Sequence, residues 1–476
     1  MTSSDRPSRP KTRGQSSRSH APRGAAPGNP APGQPSGGPE RGGAPGGKPR
    51  QKGHPPTPPD PTRDVAFDIL CGVVEHRRML ENSLTRSATA HHAEPRDRAA
   101  AHRIAAATLR HLGTLRTALE PFLRKEPPEP VRVALMMGCA QLLFLQTPPH
   151  AAVGTTVSLL RRRKLAPFAG LANAVLRRVA AQGDAVLDGL DQPRLDIPPW
   201  LWSSWSVLGA GVPRAIARTL SHEAPLDITL RPGAVPPEGG VLLPNGSWRF
   251  ESGTRVTELA GYEEGAFWVQ DAAATLPARL LNVQNGEQVL DLCAAPGGKT
   301  AQLAVTGAHV TAVENNPARM ERLIENLARL RLDVKTVQAD ATTYTPDAPQ
   351  DAILLDAPCS ATGTARRHPD VLWVKRPRDL AALTDMQDKM LAAARDMLKP
   401  GGRLVYAVCS LQEEEGPARA RAAQAMGLVP SPFTPEELPC LPQAITPEGW
   451  LRTHPGLWAE QGGMDGFFAA RFTRPA

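Results

Sequence analysis

Two cysteine–serine pairs, Cys359-Ser360 and Cys409-Ser410, each follow an apolar run, LLDAP and RLVYAV. A lone cysteine is most often a small buried hydrophobe. Two of them, each just past a strand-like run in the same half of the chain, suggest paired thiols. A thiolate can attack an electron-poor carbon and split one difficult step into two easier ones. Asp356 stands three residues before Cys359. Cys409 precedes Ser410-x-x-Glu413, a capping-box pattern that predicts a helix starting right after the thiol. A helix N-terminus would lower that thiol's pKa. The acidic run Glu413–Glu415 would oppose this if it approached the sulfur.

A second feature, DLCAAPGGKT at 291–300, reads as a glycine-rich strand-to-helix turn. Gly298, Lys299 and Thr300 fit the end of a phosphate-binding GxxxxGK[ST] loop, but the leading position holds Cys293. GxGxxG is absent too. A nucleoside ligand without a phosphate chain fits better. Glu314 ends the next strand-like run, where a carboxylate commonly takes two ribose hydroxyls, and Asp340 ends the third, placed for an adenine amino group. S-adenosylmethionine has a ribose and an adenine and no phosphate. Any one of these acids could simply cap a helix. Four in succession, Asp291, Glu314, Asp340 and Asp356, beside a glycine-rich turn point to the cofactor.

Methyl transfer to an exocyclic amine usually uses Asn/Asp-Pro-Pro-aromatic at the fourth strand. This chain has Asp356-Ala-Pro-Cys359. Carbon 5 of a pyrimidine is a poor nucleophile, and a thiolate added at carbon 6 turns the ring into an enamine. Asp356 is placed to hold N3 and N4 of a cytosine in the adduct. The base must leave its stack to expose carbon 6, so a single-stranded or flipped-out RNA base is expected.

The elements that must position these groups are legible. From 286 on, EQVLDLC, AHVTAVE, VKTVQAD, DAILLD and RLVYAVC alternate with helical stretches, predicting a doubly wound, mostly parallel sheet. NPARMERLIENLARLR carries an N-cap at Asn316, Pro317 at the first helical position, and Leu323, Leu327 and Leu330 on one face. RDLAALTDMQDKMLAAARDMLKPGG is expected to be a helix closing on glycine. Residues 61–185 read as an all-α bundle of six or seven helices. Val65, Ile69, Leu70 and Val73 form one face, Leu80 and Leu84 begin another, and VRVALMMGCAQLLFL is apolar enough to be a central helix. Its basic runs at 161–164 and 177–178 read either as phosphate contacts or as solvated helix ends. Residues 186–285, with LDITLRP, VLLP and FWVQD, read as a small α+β linker, and 286–476 as the catalytic domain.

Composition sets the outer bounds. Hydrophobic and charged shares of 41 % and 21 % are those of globular chains. No run of eighteen apolar residues occurs, so no membrane contact is expected. The N-terminus lacks the apolar segment of a secretory signal, and the six cysteines form no CxxC pair. A reduced cytoplasm and no metal are therefore expected. Residues 1–60 hold fourteen Pro, eleven Gly and ten Lys/Arg against three Asp/Glu, which is +7 of the chain's +8. That tail is expected to be disordered, either a basic arm for RNA or a spacer. The remainder is nearly neutral, so RNA contacts must come from local patches.

With CAAPGGKT, DAPCSATGTARRHPDVLW, LKPGGRLVYAVCS and GMDGFFAARF in view, residues 61–476 resemble the bacterial small-subunit rRNA cytosine-C5 methyltransferases of the Sun/RsmB type. QLLFLQTPPHAAV and NAVLRRV resemble the NusB-like bundle of that family. The resemblance implies a multidomain chain: a NusB-like bundle, a small linker and a Rossmann-like S-adenosylmethionine-dependent methyltransferase sheet. It implies Cys409 as the nucleophile, Cys359 in product release, and Asp356 near the methyl. It implies cofactor contacts at Cys293, Ala294, Ala295, Pro296, Gly297, Gly298, Lys299, Glu314, Asp340 and Asp356. Arg366, Arg367 and His368 are the expected RNA contacts, 16S rRNA the expected partner, and a monomer the expected state. The chain departs from the family with Val408 where Thr is usual and with LRPG at 230–233. The same chemistry on tRNA, or an RNA-binding antitermination factor without catalysis, are the competing readings.

Overall fold

The structure is a computed structural model that describes residues 58–476. The expected tail lies outside the described residues, apart from 58–60.

Eight helices follow: α1 Pro61–Val74, α2 Leu80–Arg86, α3 Ala88–His92, α4 Pro95–Arg110, α5 Leu112–Leu119, α6 Glu129–Leu143, α7 Pro149–Arg162 and α8 Ala169–Gln182. Asp60 caps α1 by accepting from the Arg63 amide, and Pro61 occupies the first turn, where its missing N–H costs nothing. Val65, Ile69, Leu70 and Val73 are fully buried, while Leu84 is only partly so. Helix α6 is buried over almost its whole circumference from Val131 to Gln141, the central role its uniform apolarity predicts.

Three short helices come next, α9 Gln192–Leu195, α10 Pro199–Trp205 and α11 Val212–Leu220. They lead into an antiparallel sheet of β1 Leu226–Leu230, β2 Val241–Leu242, β3 Trp248–Phe250 and β4 Phe267–Val269, in the order β2-β3-β1-β4. Helix α12, Leu276–Leu280, leads to the main sheet.

The main sheet is built from β5 Gln288–Leu292, β6 His309–Glu314, β7 Lys335–Gln338, β8 Gln350–Asp356, β9 Leu398–Val408, β10 Val429–Pro430, β11 Leu451–Arg452 and β12 Phe468–Thr473. Its order is β10-β12-β9-β8-β5-β6-β7, with β11 on β12. The five strands from β9 to β7 are parallel, and β12 runs antiparallel to β9. The connecting helices are α13 Gly298–Ala304, α14 Pro317–Arg329, α15 Val371–Val374, α16 Leu380–Met397 and α17 Pro417–Ala425. The chain leaves β5 toward β6 and β7, then crosses back to β8. The carboxyl ends of β5 and β8 therefore flank a switch point, where ligands of such sheets bind.

Two local expectations are corrected. Helix α16 does not close on glycine: it ends at Met397, and LKPGG begins β9. Gln350 pairs with Leu398 and Ala352 with Arg403, so Lys399–Gly402 bulge out of register, with Gly401 at φ +77°. The Ser410-x-x-Glu413 pattern forms no capping box either. Helix α17 starts only at Pro417, Ser410 Oγ donates to Glu415 at 2.5 Å, and Glu413 pairs with Arg421 at the surface. Tertiary partners outcompete the local cap, and Cys409 gains nothing from a helix dipole.

Candidate active site

Strands β8 and β9 run side by side in parallel with Asp356 opposite Ala407. Equal register makes the segments after them neighbours, and this brings Cys359 Sγ within 3.5 Å of Cys409 Sγ, although the residues are fifty apart. The Cys359 thiol is pushed well above its usual range by its hydrogen bond to Cys409, then by burial and by the charges of Cys409 and Glu415. Cys359 is thus held as a thiol. Lys299 and Arg367 line the same cavity as Cys409.

Lys299 Nζ donates to Asp356 Oδ2 at 2.7 Å and lies 4.9 Å from the centre of the Phe467 ring. Burial works against its charge, and Asp356 more than offsets it, so Lys299 stays protonated. A cavity of about 410 Å³ opens here, lined by Cys293–Pro296, Gly298, Lys299, Asp356, Arg367 and Cys409.

The turn after β5 is fixed from both sides. Cys293 sits in the left-handed region at φ +63° and Gly297 at φ +105°. A Cβ at Gly297 would also meet Leu323 Cδ1 at 2.8 Å. The carbonyls of Ala295 and Pro296 accept from Arg319 and Asn326 of α14 at 2.7 and 2.9 Å. The Ala294 amide donates to Val313 O at 3.1 Å.

Two acids offer unused acceptors. Glu314 is buried at the end of β6. Its Oε1 accepts from the Asn316 amide at 3.0 Å, whereas Oε2 has no hydrogen-bond partner and only the Arg319 guanidinium approaches, at 3.5 Å. Asp291 accepts from Thr300 Oγ1 at 2.6 Å, and its Oδ1 is likewise unsatisfied. A buried orphaned acceptor is costly unless something donates to it, and a ribose diol is such a donor at Glu314. The structure therefore suits a nucleoside cofactor at β5 and β6. Asp340 stands apart, exposed two residues beyond β7, with Oδ1 taken by the amide and hydroxyl of Thr342 at 2.8 and 2.7 Å. Among the described residues there is no cluster of three or more His, Cys, Asp or Glu arranged to hold a metal.

The description of one matching family, "16S rRNA methyltransferase RsmB/F", fits residues 278–473, and that of the NusB family fits residues 60–181. Ribosomal RNA small subunit methyltransferase B of Vibrio cholerae serotype O1 is 35 % identical over 387 residues, spanning 76 % of this chain and 88 % of that protein. The chain belongs to the RsmB/F family. The Salmonella arizonae protein of the same name is 32 % identical over 439 residues, spanning 87 % of this chain and 98 % of its own. The solved structure of PH0851 covers 87 % of this chain with a TM-score of 0.65 at 22 % identity, a likeness of fold.

In this RsmB/F chain one expected RNA contact, Arg366, needs correction. Arg366 is 1 % exposed; it pairs with Asp271 at 2.5 Å and donates to Gly462 O at 2.8 Å, so it cannot reach a phosphate. Arg367 lines the cavity but is ion-paired to buried Asp465. His368 is exposed at the rim of the cavity.

Sequence reasoning missed the acids behind these arginines. Asp271 ends the FWVQD run and Asp465 sits inside GMDGFF. Burial and the Asp271 charge raise Asp465 to about 6 against the pull of Arg367. The signal available was charge inside otherwise apolar runs, which rarely survives burial without a partner.

Proposed function

We propose that this chain methylates carbon 5 of a cytosine in 16S rRNA through a covalent adduct at Cys409. The observation that carries the reading is the 3.5 Å pair of inequivalent thiols beside the Lys299–Asp356 ion pair. S-adenosylmethionine, held by the 293–299 turn and Glu314, supplies the methyl group as an electrophile.

Cys409 shares the cavity with Lys299 and Arg367, and its sulfur adds to carbon 6 of the base. Addition moves the Cys409 thiol proton to N3 as the sulfur bonds to carbon 6, and makes carbon 5 nucleophilic. Asp356, held by Lys299 and partly open to the cavity, accepts from N3 and N4 and stabilises the adduct. Loss of the carbon-5 proton to water restores the ring double bond and expels the Cys409 sulfur from carbon 6 as a thiolate. Cys359 donates its S–H to that sulfur and is reprotonated by the proton leaving N3, the role its protonated state suits.

The test is methyl transfer from labelled S-adenosylmethionine to unmethylated 16S rRNA, free and in 30S particles, with modified cytosines mapped by bisulfite sequencing. The reading expects label at carbon 5 of one cytosine. Label confined to tRNA, or none with both cysteines intact, would overturn it.

A further inference from the structure

Of the three consecutive glutamates after Cys409, only Glu415 turns inward, and it is completely buried. Its carboxylate is surrounded by neutral donors from both cysteine loops. The Ser360 amide donates to Oε1 at 2.8 Å, and the Ser360 hydroxyl donates to Oε2. The Ser410 hydroxyl donates to the same Oε2 at 2.5 Å, and the two hydroxyls lie 3.1 Å apart. From α16, Gln387 Nε2 donates to Oε1 at 3.2 Å and to Pro358 O at 2.9 Å. Tyr406 in β9 donates to the Glu415 carbonyl at 2.6 Å. Each serine directly follows one of the cysteines, so one carboxylate ties both thiol-bearing loops together.

We propose that Glu415 is a positioning residue that fixes the separation of the two active-site thiols and assigns the proton between them to Cys359. This rests on the two-thiol reading above and deepens it. The β8–β9 ladder ends at Asp356 and Ala407 and the β9–β12 ladder at Val408, so neither ladder reaches residue 359 or 409. The Glu415 clamp takes over where the ladder stops.

A buried anion joined to the Cys359 side also disfavours a second negative charge there. The charge of Glu415 is among those that raise Cys359. The charged and titratable groups around the pair divide unevenly. Lys299 and Arg367 line the cavity with Cys409, while Glu415, held also by Tyr406 through its carbonyl, binds the amide and hydroxyl of Ser360 beside Cys359. The two thiols, alike in sequence, thereby receive opposite roles.

The test uses the full chain. In a Cys409→Ser background, the pH profile of Cys359 alkylation is read by mass spectrometry of its peptide, with and without Glu415→Gln. Gln keeps the size and several hydrogen bonds but removes the charge. The profile is expected to move to lower pH by on the order of one unit, and an unmoved profile overturns the proton assignment. With both cysteines restored, Glu415→Ala is expected to slow single-turnover methyl transfer at least about 10-fold, with cofactor and RNA affinities changed less than about 2-fold. Equal rates overturn the positioning role. If the alanine variant does not fold, the glutamine variant's single-turnover rate and thiol profile still decide. The thiol titration needs no RNA and no cofactor, so its failure counts against Glu415 alone, whereas an inactive unaltered protein counts against the function.

Discussion

Asp291 shows how one residue's environment sets a measurable property. Burial raises its carboxyl to about 7, partly countered by the Thr300 hydrogen bond, with the Asp356 charge adding to the rise. The unfolded chain loses that proton near pH 4, the ordinary carboxyl value. Between about pH 4 and 7 the folded protein therefore holds a proton that the unfolded chain has released. The contribution of this group to stability falls as pH rises through that window. Asp291→Asn removes the titration. We expect the stability of the unaltered protein relative to Asp291→Asn to be greater at pH 5 than at pH 8, by on the order of 1 kcal/mol or more, measured by urea unfolding at both pH values. A relative stability that is the same at both would contradict the assignment.

Elements explain what the sequence could and could not tell. The strands β5 to β9 and the Asn316 cap of α14, whose side chain accepts from the Arg319 amide at 3.1 Å, were legible because their signals are local. The site was partly legible for the same reason: Cys359, Cys409, Asp356 and Lys299 sit at or just beyond strand ends or in the glycine-rich turn after β5, which the sequence marks as a strand-to-helix turn. The false capping box at Ser410, the helix expected to close at LKPGG and the clamp of Glu415 were not legible. Each depends on a partner remote in sequence or on sheet register. Gly363 belongs with them. Its amide donates to Cys409 O at 3.1 Å, and its carbonyl accepts from the Gly466 amide at 2.8 Å. An added Cβ would strike the Gly466 carbonyl oxygen. Gly363→Ala is expected to cost about 1–3 kcal/mol and to slow methyl transfer by shifting the Cys359 loop. A thermal midpoint and a single-turnover rate check this, and an unchanged midpoint would contradict it.

Across the whole molecule, the described residues belong to one compact unit, and the helical bundle grips the segment just beyond the Cys359 loop. Trp373 Nε1 donates to Leu109 O at 2.8 Å, and the Trp373 ring packs against the bundle core. Arg77 donates to Trp373 O at 3.0 Å, and Arg110 donates to Arg366 O at 2.9 Å. Asp370 accepts from the Leu80 amide at 2.8 Å, so a residue of the catalytic region caps helix α2 of the bundle. The bundle is therefore part of the candidate site's scaffold, and RNA held on it would be held in fixed relation to the thiols. Trp373→Ala is expected to lose about 2–3 kcal/mol, below the range for a fully buried tryptophan because the side chain is half-buried. It should also reduce methyl transfer, although no atom of Trp373 lines the cavity. Urea midpoints with parallel rate measurements test this, and full activity in a destabilised variant would separate the bundle from the site.

The central claim is that the two thiols have different jobs, with Cys409 attacking and Cys359 releasing. It is tested most directly by incubating Cys359→Ala and Cys409→Ala with 16S rRNA and S-adenosylmethionine and resolving the products on a denaturing gel. The account predicts a covalent protein–RNA band with Cys359→Ala and none with Cys409→Ala, whose methyl transfer falls at least about 10³-fold. A band with Cys409→Ala, or none with Cys359→Ala, would contradict it.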